Sequence, residues 1–255
     1  MSETTYNPFS LAGKTILVTG ASSGIGRSTA VECAKMGATV ILTARNEQRL
    51  QETLSLMPSG SHIVVPAELG SDGAAKALVD SLPANAKLDG VVHCAGVSGL
   101  MPSVFLKEDT ALRTLNTNLL TPIFINKHLL KQKRLNTGGS VVFLASVAAY
   151  HPNVGQMIYA ASKNGVIAAT KTLARETFAK GMRANAICPA MVDTPMTAPE
   201  TQGLSEEQLA ADRAKHFLGR YGKPEEVAQM AVYLLSDAAR WITGSVFQID
   251  GGYTL

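Results

Sequence analysis

The chain is expected to fold as one doubly wound α/β domain: a parallel sheet of about seven strands with helices on both faces. Short β-branched apolar runs alternate with longer amphipathic stretches over the whole length. The runs are apolar throughout instead of alternating with polar residues, as strands covered on both faces are. The stretches between them have roughly the length that a right-handed crossover needs. With 255 residues, 46% hydrophobic and 17% charged, the chain has ample material for one core.

Residues 15–19, 38–43, 62–65 and 90–93 read as the first four strands. Residues 140–145, 183–187 and 245–249 read as three more. No Pro/Gly/Ser-rich linker, internal repeat or low-complexity tract divides the chain, so residues 1–255 are taken as a single domain. The exception to the strand–helix alternation is a polar, helical interval at about 194–219 with no strand after it. It reads as a lid over the substrate site, because ligands of such folds sit outside the carboxyl ends of the strands.

Several function classes are disfavoured. The formal charge of +3 is small and no long basic run dominates, so nucleic acid is not implied. The densest basic stretch, Lys127 to Arg134, carries leucines at helical spacing and reads as a solvated helix face. Cys33, Cys94 and Cys188 are odd in number, far apart and without metal-ligand spacing. They read as free thiols in a reducing compartment, with no metal site. The first residues lack a signal-peptide pattern, and no apolar run approaches bilayer length. A cytoplasmic protein with no membrane partner is expected.

The first strand runs directly into Thr19-Gly20-Ala21-Ser22-Ser23-Gly24-Ile25-Gly26, and a helical pattern follows to Met36. Glycine allows positive φ and close approach of a phosphate to the backbone, and the N–H groups opening the next helix face a pyrophosphate. Between the first strand and first helix of an α/β chain, this is a strong dinucleotide signal. A tight strand-to-helix turn alone does not need three glycines. At the end of the second strand, where an NAD site usually places Asp or Glu, stand Ala44 and Arg45. A guanidinium there suits a 2′-phosphate, so the cofactor is expected to be NADP(H), with Arg27 a second contributor.

The other telling segment is Ser146-Val147-Ala148-Ala149-Tyr150 followed by Tyr159-Ala160-Ala161-Ser162-Lys163. On a helix, Tyr159 and Lys163 share a face at i and i+4. Lowering a phenol pKa from about 10 to about 7 needs roughly 4 kcal/mol. An ammonium about 4 Å away in an effective dielectric of about 20 supplies that amount. By spacing alone, such a pair is more often incidental to an amphipathic helix.

At these residues the sequence resembles the short-chain dehydrogenase/reductase family, in its short, non-extended branch, over essentially the whole chain. The pattern is most similar to 3-oxoacyl-carrier-protein reductases. The resemblance implies a Rossmann-type fold and a catalytic set of Asn118, Ser146, Tyr159 and Lys163. Tyr159 would exchange the proton, Lys163 would lower its pKa and bind the nicotinamide ribose, Ser146 would hold the carbonyl, and Asn118 would hold a water. It implies cofactor contacts from Gly20, Ser22, Ser23, Gly24, Ile25 and Gly26, from Arg45, Glu68 and Leu69, and from Cys94, Ala95 and Gly96. Tyr159, Lys163, Pro189 (in Asn185-Ala186-Ile187-Cys188-Pro189), Val192 and Thr194 would complete the set.

Four departures from the family pattern stand out. Cys94-Ala95-Gly96 replaces Asn-Ala-Gly, and Glu68 stands where an aspartate is usual. Pro189-Ala190 replaces Pro-Gly, and Ala44 takes the common acidic or glycine position. His93, beside Cys94, reads as a structural histidine more than as an acid–base group. The expected activity is NADP(H)-dependent interconversion of a ketone and a secondary alcohol. The substrate would be a small carbonyl compound or its alcohol, an acyl thioester among the candidates, and the assembly a homotetramer. The alternative is a non-catalytic NADP-sensing scaffold. Enoyl reductases of the same broad family space the tyrosine and lysine further apart.

Overall fold

The computed structural model describes residues 6–84 and 86–255. Seven parallel strands form one sheet: β1 Thr15–Thr19, β2 Thr39–Thr43, β3 Ile63–Val64, β4 Leu88–His93, β5 Leu135–Leu144, β6 Arg183–Pro189 and β7 Val246–Ile249. Their order is β3-β2-β1-β4-β5-β6-β7, so the chain reverses its direction of winding between β1 and β4. The registers place Thr19 beside Thr43 and His93, and His93 beside Phe143. The carboxyl ends therefore form one edge, which opens a crevice at the switch point.

The continuous apolar runs are explained by two cores. In β1, Ile16 and Val18 face one side while Leu17 faces the other, and all three are fully buried. The first side is covered by α1 (Gly24–Lys35), α2 (Glu47–Ser55) and α9 (Pro224–Leu235) through Cys33, Leu50, Val227 and Leu235. The second is covered by α3 (Asp72–Asp80), α5 (Thr121–Lys131) and α6 (Met157–Thr177) through Leu78, Ile125, Leu129 and Val166. The order and type of the strands follow the sequence reading. The main difference in extent is β5, which begins five residues earlier, at Leu135.

The interval expected to form a lid contains two short helices, α7 (Ala198–Thr201) and α8 (Glu206–Ala214). It is tethered at its roots where Val192 bridges Gly222. The basic stretch is less free than its composition implied. Lys127 pairs with Asp72 at 2.9 Å, and the Arg134 guanidinium donates to the carbonyls of Leu82, Pro83 and Ala84. Cys33 and Cys188 are buried free thiols, and Cys94 is partly exposed.

Candidate active site

A cleft of about 640 Å³ opens at the switch point. Its floor is the glycine turn, and here glycine is required by geometry. Gly20 has φ +67°, and a Cβ on it would lie 2.8 Å from the Ala95 backbone nitrogen. A Cβ on Gly26 would lie 2.2 Å from the Gly20 oxygen. Both contacts are closer than real Cβ atoms come, so β1 can approach β4 and α1 only without side chains here. The start of α1 is left open as well. Ser23 makes no side-chain cap bond and the first turn holds no acid, whereas α2, α3 and α8 are capped by Asn46, Ser71 and Ser205. Uncapped N–H donors at a positive dipole end fit a phosphate.

Arg45, Glu68 and Leu69 line the far end of the cleft. Arg45 makes no side-chain hydrogen bond or ion pair among the described residues. Arg49, one turn further on, also lines the cleft, and its guanidinium has no partner among the described residues. Arg27 is different. It donates to the Ser22 carbonyl at 2.8 Å and to Thr53 at 3.1 Å, and pairs with Glu52 at 3.0 Å. Its Nε and Nη2 donors brace the turn from behind, and Arg27 is not among the residues that line the cleft.

Cys94, Ala95 and Gly96 form the near wall, with the Ala95 N–H held by Thr19 Oγ1 at 3.1 Å. The Cys94 thiol lies 3.9 Å from Thr29 Oγ1, and burial pushes its pKa up to about 12. His93 is buried, stacked on Phe143 and bonded through Nε2 to Asn126, with burial lowering its pKa to about 4. It stays neutral, in keeping with a structural histidine.

Asn118 lies in a π-helical turn, Asn116–Leu120, inserted before α5 and after α4 (Glu108–Leu115). Its side chain clamps Val97 at both ends: Oδ1 accepts from Val97 N at 2.8 Å and Nδ2 donates to Val97 O at 2.9 Å. Nδ2 also donates to Ser162 at 3.1 Å. The amide is thus already committed within the protein, contrary to a simple water-holding role for the side chain.

Lys163 is buried on α6 and donates to the Leu144 carbonyl at 2.7 Å. A Cβ on Gly96 would stand 3.8 Å from its Nζ, which puts the amine directly beneath the cleft wall. Burial pulls its pKa down to about 8. Tyr159, on the same face, has its pKa pushed up to about 12 by burial, with Glu200 and Cys188 adding to the rise and a hydrogen bond with Ser146 opposing it. Lys163 Nζ lies 5.7 Å from the Tyr159 ring centroid while it donates to Leu144. Ser146 is buried at the end of β5, and its hydroxyl accepts from Ala148 N at 3.1 Å.

Thr194 closes the cleft opposite the glycine turn, with its side chain 3.2 Å from a Cβ built on Gly24. Its N–H and hydroxyl are both held by Thr197 Oγ1 at 3.1 Å. Pro189 ends β6 and Val192 is buried at the lid root, so both shape the backbone behind the cleft without lining it. Sequence reasoning missed Arg49, Asn46 and the contribution of α4 and the π turn, where Asp109, Leu112, Asn116 and Thr117 also line the cleft. The only signal for Arg49 was its i+4 spacing from Arg45. Nothing in the α4 pattern marked it.

A doubly wound sheet with a glycine cradle at its switch point defines a dinucleotide-binding α/β protein. The family model described as enoyl-(acyl carrier protein) reductase matches residues 20–254. The 3-oxoacyl-[acyl-carrier-protein] reductase FabG of Thermotoga maritima is 34% identical over 248 residues, covering 96% of this chain and 99% of the relative. A glucose/ribitol dehydrogenase structure of the short-chain dehydrogenase/reductase type, from Brucella melitensis, superposes with a TM-score of 0.90 at 29% identity. It covers 98% of this chain and 100% of that one. A structure from Agrobacterium tumefaciens assigned as a 2-deoxy-D-gluconate 3-dehydrogenase, with bound NADP, gives a TM-score of 0.85 at 32% identity, covering 97% and 99%. The chain belongs to the short-chain dehydrogenase/reductase family, and it is a nicotinamide-dependent oxidoreductase.

Proposed function

We propose that the protein interconverts a ketone and a secondary alcohol with NADP(H), Tyr159 serving as general acid in reduction and general base in oxidation. What supports this reading is that Tyr159 has both Ser146 and Lys163 as neighbours, with the Lys163 amine behind Gly96 of the cleft wall. Tyr159 and Ser146 are within hydrogen-bonding reach of each other, a pairing suited to one carbonyl oxygen. This pairing favours carbonyl reduction over reduction of an enoyl double bond.

The residues that would hold the cofactor fit it. The glycine cradle and the open start of α1 would take the pyrophosphate, and Arg45 with Arg49 the 2′-phosphate. Glu68 and Leu69 would flank the adenine, Cys94 to Gly96 the near ribose side, and Pro189, Val192 and Thr194 the nicotinamide side. The bound cofactor supplies or takes the hydride. Tyr159 transfers the proton to the substrate oxygen while Ser146 holds that oxygen. A phenol held near 12 is a reluctant base at neutral pH, so positive charge at Lys163 is needed to make its ionised form accessible. The proton would be replaced through Lys163 and a water held near Asn118. A scaffold that merely sensed the nucleotide would have no use for the Tyr159 hydroxyl paired with Ser146.

The interval 194–219 would act as the substrate lid of this single domain, over a small uncharged or partly apolar carbonyl compound, acyl thioesters included. The protein would be cytoplasmic and homotetrameric. The exposed side of α6 supports the assembly, where Lys171, Arg175 and Phe178 border a groove of about 450 Å³ and Trp241 stands fully exposed. The test is a panel of ketones and alcohols followed by NADPH and NADH absorbance at several pH values. Turnover of at least one carbonyl with NADPH is expected. Tight nucleotide binding with no turnover across the panel would defeat the reading.

A further inference from the structure

Residues 250–255 pack between the lid base and the loop before α6. β7 passes directly into a turn whose shape is fixed by Asp250. Its carboxylate accepts from the Gly252 N–H at 2.9 Å, the Thr254 N–H at 3.1 Å and the Thr254 hydroxyl at 2.5 Å. This turn presents Tyr253 to two walls at once. On one side, Asn153 Nδ2 donates to the Tyr253 hydroxyl at 3.3 Å. Asn153 belongs to the loop that enters α6, where its N–H is held by Gln156 at 2.8 Å, three residues before Tyr159. The same loop ties to the strand-4 loop through Met101 N–H on Gly155 O at 2.9 Å.

On the other side, the Tyr253 ring lies 5.0 Å from the ring of His216, at the base of the lid. His216 is only 3% exposed, and neither ring nitrogen has a partner among the described residues. Tyr221 packs edge-on against it at 5.6 Å, and its own hydroxyl is bound to Asp212 of α8 at 2.6 Å. The backbone joins the same two parts, with Leu218 N–H on Gly251 O at 3.1 Å. Gly252 comes so close that a Cβ on it would stand 2.9 Å from Phe217 Cβ.

We propose that Tyr253 is a positioning residue that braces the loop before α6 against the lid base, and so sets the width of the substrate pocket and its discrimination by substrate size. The His216 side chain, without polar partners among the described residues, is held by the rings of Tyr221 and Tyr253, and of these Tyr253 is the one that also reaches the loop before α6. Among the described residues, the hydroxyl is the one polar link from the tail to the loop. It is spent on Asn153 and not on the tail itself. The inference rests on the reading of the site as a carbonyl reductase.

The test uses Tyr253→Phe, Asn153→Ala and the double variant of the full chain. In the cofactor-free protein, hydrogen exchange should quicken together in residues 150–156 and 206–218 for each single variant. With cyclohexanone and 4-phenyl-2-butanone as probes, KM for the smaller ketone should rise about three- to tenfold, the range one hydrogen bond supplies. The kcat with each probe and the NADPH dissociation constant should hold. The double variant should be no worse than either single one, since both changes cut the same link. Additive effects, or faster exchange confined to the tail, would overturn the inference. Absence of turnover in the wild type would instead defeat the proposed activity, and the exchange result would still decide the brace.

Discussion

Lys163→Met removes a buried amine whose presence weakens the cofactor-free fold. Lys163 is 6% exposed, and burial lowers its pKa from 10.5 to about 8. A drop of that size corresponds to about 3 kcal/mol of disfavour for the charged form in the folded state. The folded pKa lies below the unfolded one, so the unfolded chain binds more protons between about pH 8 and 10.5, and stability rises with pH there. Below that window the full penalty is present, and above it the penalty is gone. Methionine has no such penalty at any pH. It does leave the Leu144 carbonyl unpaired, at a cost of about 1–3 kcal/mol. That cost is nearly independent of pH and cancels when the same pair of proteins is compared at two pH values. Urea unfolding of cofactor-free wild type and Lys163→Met at pH 7 and pH 10 is the assay. The wild type should gain about 2–3 kcal/mol on the variant across that span. Parallel stabilities at both pH values would show that the lysine is not desolvated, and the argument that it is retained for chemistry would lose its basis.

Three further outcomes are expected. Arg45→Ala should weaken NADPH binding about ten- to hundredfold and leave NADH unchanged, whereas Arg27→Ala should weaken both alike because it braces the Ser22 carbonyl; calorimetric titration of both nucleotides distinguishes them. Gly20→Ala, at φ +67° with a backbone atom 2.8 Å from the new Cβ, should lower the thermal midpoint and abolish nucleotide binding, and wild-type affinity would contradict the cradle. Glu200→Gln removes a charge that raises the Tyr159 pKa, so the rising limb of the alcohol-oxidation pH profile should move to lower pH, and a shift to higher pH would be the wrong sign.

The sheet was legible because its strands are buried on both faces, as Ile16, Leu17 and Val18 show by facing alternate cores without a polar gap. The early start of β5 was hidden because Leu135 to Gly139 is not an apolar run, and it joins the sheet through the irregular pairing near Leu88 and Gly90. The glycine turn, Arg45 and the Tyr159–Lys163 spacing were readable because each depends on neighbours within one turn of chain. The capture of Arg27 by Glu52 was not, because it joins two separate helices. The position of Lys163 one turn after Tyr159 was readable, but its hydrogen-bond partner was not. Its target is a carbonyl 19 residues earlier on β5, brought near only by the fold. The π turn left one local trace, Pro122, whose missing N–H interrupts the i+4 ladder at that point.

The central claim is that the Tyr159 hydroxyl carries the proton, and single-turnover reduction of a ketone by NADPH-loaded Tyr159→Phe tests it most directly. The substitution removes one oxygen and keeps the ring, so the NADPH dissociation constant should stay within about twofold, under half a kcal/mol. The rate of the chemical step should fall by about two to four orders of magnitude, the range a positioned acid supplies. A variant that binds NADPH normally and reduces the ketone at near wild-type rate would show that another group delivers the proton.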